Sequence, residues 1–131
     1  MENWTAHELK QLSETDDLHI SPFREDGKTY GTPTWIWSVV ANDALFVRAY
    51  NGRNSRWYQA AVSQKEGRIT AAGMIRKVIF EQADSDSGVN DTIDEAYRKK
   101  YSKSPYLSSM ISRRVRISTV TINPKIKNWR I

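Results

Sequence analysis

The chain contains no cysteine, only two histidines and no long run of apolar residues. The missing cysteines exclude disulfide bonds, thiolate metal sites and a cysteine nucleophile, and their absence is typical of a cytoplasmic protein. The N-terminal residues are polar and acidic, unlike a secretory signal. No stretch reaches the roughly 18–20 apolar residues of a membrane-spanning helix. We therefore expect a cytoplasmic protein that does not cross a membrane.

The two histidines, His7 and His19, stand far apart in the sequence. Neither has a partner at the spacing of metal ligands, and neither lies in a motif that would support a Ser-His-Asp arrangement. The sequence therefore predicts no metal site and no catalytic side chain. It leaves open whether the protein is an enzyme.

The length of 131 residues suits a single domain, 1–131, to which five tryptophans and six tyrosines bring large buried areas. The net charge of +5 is unevenly placed, because residues 1–65 carry seven basic and eight acidic side chains whereas residues 66–131 carry 13 and seven. From residue 111 to the end there are six basic residues and no acidic one. Such a basic half indicates either an anionic partner or a solvated basic surface.

Turn residues and alternating apolar residues predict a mostly antiparallel β-protein. Thr5 and Glu8 have the spacing of a capping box, so we expect a helix to begin there. Asn42-Asp43 predicts a two-residue hairpin turn, and Gly73 predicts a second turn or a bulge. The predicted strands are 18–23, 35–41, 45–50, 68–72, 74–80 and 115–122, the last with a bulge where its alternation slips, and 84–88 is expected to be a polar loop.

Helices are expected to be short and few. Ser55 is expected to cap one of them, and Asp91 another, whose acidic first turn and basic last turn suit the helix dipole. The helix that follows Asp91 carries Tyr97, Lys100 and Tyr101 at helical spacing, so these side chains either reach a ligand or anchor the helix on the sheet. The fold class is therefore mainly β (α+β), a small antiparallel barrel with two or three short helices.

The segment LFVRAYNGRNSRWY, residues 45–58, carries the strongest functional signal. Its strand brings Arg48 and Tyr50 to one face, and the loop that follows is rich in arginine, asparagine and serine. Several guanidinium and hydroxyl donors near one strand exit suit an anion such as a phosphate. Alternatively, Arg48 pairs with a carboxylate such as Asp94 or Glu95, and the loop arginines are merely exposed.

The aromatic residues near this loop also allow two interpretations. Trp35, Trp37, Tyr50 and Trp57 are suited to stack on a flat ligand. Aromatic residues on strands more often belong to the core, so Trp35 and Trp37 alternatively fill the barrel interior.

The order of these segments resembles the bacterial domain-of-unknown-function family 2255, from about Leu18 to Pro124. The resemblance rests on a Pro-x-Trp-x-Trp strand, on residues 45–58, on a Gly-x-Ile strand and on the helix IDEAYRKKY, residues 93–101. That family is similar to the split-barrel flavin-binding superfamily, which includes pyridoxamine-phosphate-oxidase-like proteins and deazaflavin-dependent reductases. The resemblance implies a six-stranded split β-barrel that binds FMN or a deazaflavin, as a monomer or a homodimer.

The resemblance and the residues together indicate one cofactor site. The loop donors are expected to hold the phosphate, and the barrel wall is expected to support the flavin ring. The predicted cofactor-binding residues are Trp37, Arg48, Tyr50, Asn51, Gly52, Arg53, Ser55, Arg56 and Trp57.

The sequence leaves three functions open. The first is flavin or deazaflavin binding, as an oxidoreductase or a carrier. The second is a non-catalytic barrel that has lost the cofactor and binds a small ligand or a protein partner, because the Trp35-Ile36-Trp37 run fills space that a flavin needs. The third is single-stranded nucleic-acid binding, although the signature motifs of nucleic-acid modules are missing. The residues that favour this third function are Arg113, Arg114, Arg116, Lys125, Lys127 and Trp129.

Overall fold

A computed structural model describes residues 4–83 and 88–125 of the chain. The strands are β1 His19–Pro22, β2 Thr34–Trp35, β3 Ser38–Ala41, β4 Ala44–Val47, β5 Glu66–Ala71, β6 Met74–Gln82 and β7 Val120–Pro124. The helices are α1 Ala6–Glu14, α2 Arg56–Gln64, α3 Val89–Lys100, α4 Leu107–Met110 and α5 Arg113–Arg116, with a 3-10 turn at Gly52–Asn54. All pairings between the strands are antiparallel, and the strands form one sheet in the order β2-β1-β5-β6-β7-β4-β3.

In the described part of the chain the sheet has seven strands rather than the expected six, because the predicted strand 35–41 is divided. Its first part pairs with β1, and its second part pairs with β4 at the other edge of the sheet. Only Ile36 and Trp37 separate these two edge strands, so the Cα atoms of Trp35 and Ser38 lie within about 11 Å of each other. The two edges must therefore approach, and the sheet curls into a half-barrel with an open seam between β2 and β3.

The two predicted hairpin turns are confirmed. Asn42 and Asp43 have φ values of 50° and 60°, and Ala72 and Gly73 have φ values of 52° and 77°. Positive φ at both central residues gives a turn whose twist matches that of the flanking strands. These turns fix the register of the β3–β4 and β5–β6 hairpins.

The alternation predicted for the strand 45–50 is confirmed over β4, but this strand ends at Val47, so residues 48–50 lie beyond it. Leu45 and Val47 lie in a core cluster that includes side chains of α1 and α2. Phe46 lies in a second cluster on the other face, together with Ile93 of α3 and Met110 of α4. Because both faces are covered, β4 positions residues on either side of the sheet with little freedom.

The helix predicted at the N-terminus begins as expected. The Glu8 amide donates to Thr5 Oγ1 at 3.1 Å, and the Thr5 amide donates to Glu8 Oε1 at 2.9 Å, which completes the capping box. Leu9 and Leu12 are buried. The later helix begins at Val89 rather than after Asp91, with Gly88 at its N-cap.

The prediction of a strand at 115–122 was wrong in its first half, which is helical. Ser118 Oγ and Thr119 Oγ1 donate to the carbonyl groups of Val115 and Arg116, both at 2.6 Å, and close the end of α5. The slip in alternation therefore marks a boundary between helix and strand rather than a bulge. Within residues 4–83 and 88–125, five α-helices replace the expected two or three. The expected loop at 84–88, apart from Gly88, and the basic tail with Trp129 lie outside the described residues.

Candidate ligand-binding site

A cavity of about 780 Å³ opens at the seam of the half-barrel. It lies between the edge strands, the start of α2 and the segment that follows α3. The lining residues are Asp16, Thr34, Trp35, Ile36, Trp37, Arg48, Tyr50, Asn51, Ser55, Arg56, Trp57, Tyr101, Ser104, Tyr106 and Met110. The cavity has the size of a pocket for a drug-sized molecule or a cofactor.

Six aromatic side chains dominate the wall of this cavity. Trp37 stacks on Tyr101 with ring centroids 3.9 Å apart and an interplanar angle of 2°. Tyr50 and Tyr106 meet edge to face at 5.8 Å. These two tyrosines are 45% and 56% exposed, and Trp35 is 52% exposed, so apolar rings are accessible to a ligand as well as buried behind it. Such a wall suits a flat, largely apolar molecule.

Side chains from the end of α3 keep the seam open. The Ser38 amide donates to Tyr101 Oη at 3.2 Å, and Lys100 Nζ donates to the Ser38 carbonyl at 2.7 Å. These bonds satisfy backbone groups at the free edge of β3 that another strand would otherwise pair. The predicted anchoring role of Tyr101 is confirmed, and Tyr101 also lines the cavity. Tyr97 is fully buried and does not line it.

Arg48 lies at the back of the cavity, and all of its N–H groups donate to acceptors of the protein itself. Its side chain is buried and makes five hydrogen bonds, which equals the number of its N–H groups. The acceptors are Thr119 Oγ1 at 2.9 Å, Asp94 Oδ1 at 2.6 Å, the Met110 carbonyl at 3.0 Å, and Asn90 Oδ1 and the Asn90 carbonyl at 3.0 and 3.4 Å. The alternative in which Arg48 pairs with Asp94 is therefore confirmed, and no N–H group of Arg48 remains for an anion.

Gly52 and Arg53 belong to the predicted site but do not line the cavity. Arg53 Nε donates to the Ile117 carbonyl at 2.7 Å, which turns this side chain toward the end of α5. Gly52 has a φ of 74°, and a Cβ atom there would come within 2.9 Å of Arg114 Nη1. The positive φ favours glycine at position 52, and the end of the flexible Arg114 side chain would have to move to admit a Cβ atom. The three arginines do not converge on one anion as expected. Arg48 is buried among protein acceptors, Arg53 donates to the Ile117 carbonyl, and Arg56 is exposed.

The remaining donors at the cavity come from the beginning of α2. Ser55 is the N-cap residue, but its side chain makes no capping bond, and the first amides of an α-helix have no intrahelical acceptor. Arg56 is exposed and has no hydrogen-bond or ion-pair partner within residues 4–83 and 88–125. The dipole of α2, the Ser55 hydroxyl and the Arg56 guanidinium therefore favour binding of an anion at this point of the cavity wall. Arg56 also borders a second, polar depression between α2 and residues 23–26.

Lys100 has unusual electrostatics for a lysine beside this site. Burial lowers the pKa of its amine from 10.5 to about 8, against the attraction of the Asp16 and Asp17 carboxylates. Burial also raises the pKa of the Tyr97 and Tyr101 hydroxyl groups far above the usual value, so both stay protonated. Tyr101 is therefore a hydrogen-bond donor at neutral pH.

These pKa shifts predict a maximum in stability at alkaline pH. Between pH 8 and about pH 10 the unfolded chain binds a proton on Lys100 that the folded protein has released, so the free energy of unfolding should rise. Above about pH 10 the unfolded tyrosines ionise first, and the free energy should fall. Urea unfolding in steps of pH measures this profile. In Lys100→Met the rise should disappear, and a rise of unchanged slope would contradict the assignment.

Most of the predicted site residues line one cavity. Seven of the nine do so, namely Trp37, Arg48, Tyr50, Asn51, Ser55, Arg56 and Trp57. Sequence reasoning missed Asp16, Ser104 and Tyr106. None of these lies in a recognisable motif, and only the folded chain brings them beside the 45–58 segment.

The basic C-terminal segment is less free than its composition indicates. Arg116 pairs with Asp91 at 3.1 Å and with Asp94 at 3.4 Å, and Lys125 pairs with Glu66 at 2.6 Å. Arg113 and Arg114 are exposed. Lys127 and Trp129 lie outside the described residues. Across the described ranges, no helix is long and apolar enough to span a membrane, and no three His, Asp or Glu side chains are grouped to hold a metal ion.

Comparison with known proteins agrees with the resemblance in the sequence. Neither the curated proteins nor the solved structures contain a match to the chain. One family model, "Uncharacterized protein conserved in bacteria (DUF2255)", matches residues 8–122, which extend from within α1 to within β7 and include every lining residue of the cavity. The chain therefore belongs to the bacterial family DUF2255.

Proposed function

We propose that this protein binds a planar heteroaromatic cofactor of the flavin class, FMN or a deazaflavin, in the cavity at the seam of the half-barrel. The observation that carries the proposal is that six aromatic side chains line one cavity of about 780 Å³ together with Ser55 and Arg56. The side chains of these two residues have no acceptor among the described residues. On this proposal the half-barrel is a variant of the flavin-binding split barrel.

The donor set fits such a cofactor in a specific way. A flavin nucleotide has a large flat ring and a phosphate at the end of a flexible chain. Stacking surfaces such as Trp57 and Tyr50 suit the ring, and the start of α2 with Arg56 suits the phosphate. Arg48 supports the wall from behind, because all its N–H groups are occupied.

The protein contributes binding and orientation in this proposal. A bound flavin or deazaflavin supplies hydride-transfer chemistry itself, so the chain needs no nucleophile of its own to act as an oxidoreductase. A role as a carrier uses the same cavity. Both roles predict the same binding behaviour.

We expect the wild-type protein to bind both FMN and riboflavin, and Arg56→Gln to weaken FMN alone. The reason is that Arg56 would contact the phosphate, which riboflavin lacks, and a lost charge-assisted hydrogen bond costs about tenfold in affinity. Quenching of tryptophan fluorescence provides the measurement, since three tryptophans line the cavity.

The matched control is Arg53→Gln, which removes the same charge from the same loop but outside the cavity wall. Its affinity for both ligands should equal that of the wild type. Failure of the wild type to bind FMN, riboflavin and a deazaflavin at millimolar concentration would reject the proposed function. An equal loss in the two arginine variants would reject the placement of the phosphate.

A further inference from the structure

Asp16 is the one acidic side chain on the cavity wall among the described residues, and it is an exposed residue at the rim. The Asp16 carbonyl accepts a hydrogen bond from Trp35 Nε1 at 2.7 Å. The Tyr101 hydroxyl lies 3.2 Å from Asp16 Oδ1 and 3.3 Å from the Ser38 carbonyl oxygen, so these two acceptors share its single proton. Backbone and side chain are thus tied to two aromatic residues that line the same cavity.

The second carboxylate oxygen of Asp16 has no such partner. Within residues 4–83 and 88–125, no hydrogen bond reaches Asp16 Oδ2 and no basic side chain pairs with this carboxylate. The nearby ammonium group of Lys100 donates to the carbonyl groups of Ser38 and Leu12 instead. An ionised carboxylate accepts hydrogen bonds and donates none. The wall therefore presents an oriented acceptor with spare capacity beside flat aromatic rings.

We propose that Asp16 selects the ligand by accepting a hydrogen bond from an N–H group on the edge of its ring. This inference rests on the proposed function and narrows it to heteroaromatic ligands with a ring N–H donor. In flavins and deazaflavins that donor is the imide N–H of the pyrimidine ring. Tyr101 is a positioning residue, because its hydroxyl donates to Oδ1 and leaves Oδ2 for the ligand.

The test uses two ligands that differ only at this position, lumiflavin and 3-methyllumiflavin. Neither has a phosphate, so Arg56 does not contribute to the comparison. The wild type should bind lumiflavin at least about tenfold more tightly, since a site built for a hydrogen bond rejects the analogue that lacks the donor. Tryptophan fluorescence quenching gives both affinities.

Asp16→Asn should abolish this preference. Asparagine has nearly the same shape, and if its oxygen keeps the bond from Tyr101, an N–H group replaces the free carboxylate oxygen and faces the donor of the ligand. We expect lumiflavin to bind about tenfold more weakly and 3-methyllumiflavin to be unaffected. Asp43→Asn is the matched control, because Asp43 lies in the exposed β3–β4 turn, where asparagine also tolerates positive φ.

Tyr101→Phe provides a second variant that keeps the ring stacked on Trp37 but removes the orienting hydroxyl. It should reduce the preference for lumiflavin without abolishing it. A preference that persists unchanged in Asp16→Asn would show that the methyl group is rejected by its bulk, and this result would overturn the role of Asp16 while leaving flavin binding intact. Binding of neither compound by a folded wild type that does bind FMN would overturn the role of Asp16 alone, whereas failure to bind FMN as well would overturn both proposals.

Discussion

Replacing Arg48 with methionine is expected to lower the free energy of unfolding by about 3–5 kcal/mol. Arg48 is buried, and its guanidinium joins β4 to α3, α4 and the residue before β7. Among the described residues, methionine leaves Asp94 with only the ion pair to Arg116 at 3.4 Å. It also removes one donor from Asn90 Oδ1, which still accepts from Thr119 Oγ1. Removal of one partner of a buried ion pair costs more than the pair contributes, because the other charge stays buried with less compensation.

A double-mutant cycle separates this cost from the loss of packing. Asp94→Leu alone should also be strongly destabilising, whereas Arg48→Met combined with Asp94→Leu should lose much less than the two changes added together. Urea unfolding followed by circular dichroism gives all four free energies. Additive losses would show that the ion pair is not the stabilising unit.

The control for this cycle is Arg98→Met. Arg98 pairs with Glu95 on the exposed surface of α3, and exposed pairs contribute about 0–1 kcal/mol. Its unfolding midpoint should therefore stay close to that of the wild type. A midpoint for Arg48→Met equally close to the wild type would contradict the structural role given to Arg48.

Gly67→Ala is expected to have the second large effect, a loss of about 2–3 kcal/mol. Gly67 lies in β5 opposite Pro22 of β1. A Cβ atom at this position would lie 2.5 Å from the Ser21 carbonyl oxygen and 2.6 Å from Pro22 Cα. Both atoms belong to the backbone, so a rotamer change cannot relieve the contact and the two strands must move apart. Urea unfolding measures the loss.

Gly88→Ala is the matched control, because the same substitution there meets no atom of residues 4–83 and 88–125 within 4 Å. Gly88 has a φ of −62°, which alanine adopts readily. Its unfolding midpoint should change by no more than about 0.5 kcal/mol in free energy, since the reduced freedom of the unfolded chain offsets the weaker N-cap. If both glycine variants unfold at the wild-type midpoint, β1 and β5 are not packed as closely as described.

The effect of Gly67→Ala should also reach the candidate site. β1 carries the edge strand β2, and β2 carries Trp35 on the cavity wall. A displaced β1 therefore moves one side of the seam relative to Arg56 at the start of α2. We expect the variant to bind FMN more weakly even under conditions in which it remains folded.

Local signals in the sequence predicted the parts of the fold that local interactions fix. Asn42-Asp43 and Gly73 predicted two turns because few other residues tolerate positive φ. Thr5 and Glu8 predicted a helix start because a capping box needs only these two side chains. The alternation in residues 45–47 predicted which side chains of β4 face each core.

The errors arose where distant residues decide the backbone. Residues 35–41 have the pattern of one strand, but pairing with β1 at one end and β4 at the other divides them. Residues 115–122 are rich enough in β-branched side chains to resemble one strand, but α5 extends to Arg116, and the hydroxyl groups of Ser118 and Thr119 close that helix. Residues that are adjacent in sequence do not show that a strand is divided between two partners or that a helix replaces a strand.

By itself the sequence determined which segment carries the candidate site, since residues 45–58 concentrate aromatic rings and donors and seven of the nine predicted positions line the cavity. Only the tertiary structure decided what each group does there. Arg48 is occupied because Asn90, Asp94, Met110 and Thr119 surround it, whereas Arg56 is left free at the start of α2. Asp16 lies at the site because it accepts hydrogen bonds from Trp35 and Tyr101, which are 19 and 85 positions away in the chain. The physical reason is that a side chain's donors and acceptors are assigned by whatever the fold brings within about 3 Å, and sequence order does not contain that distance.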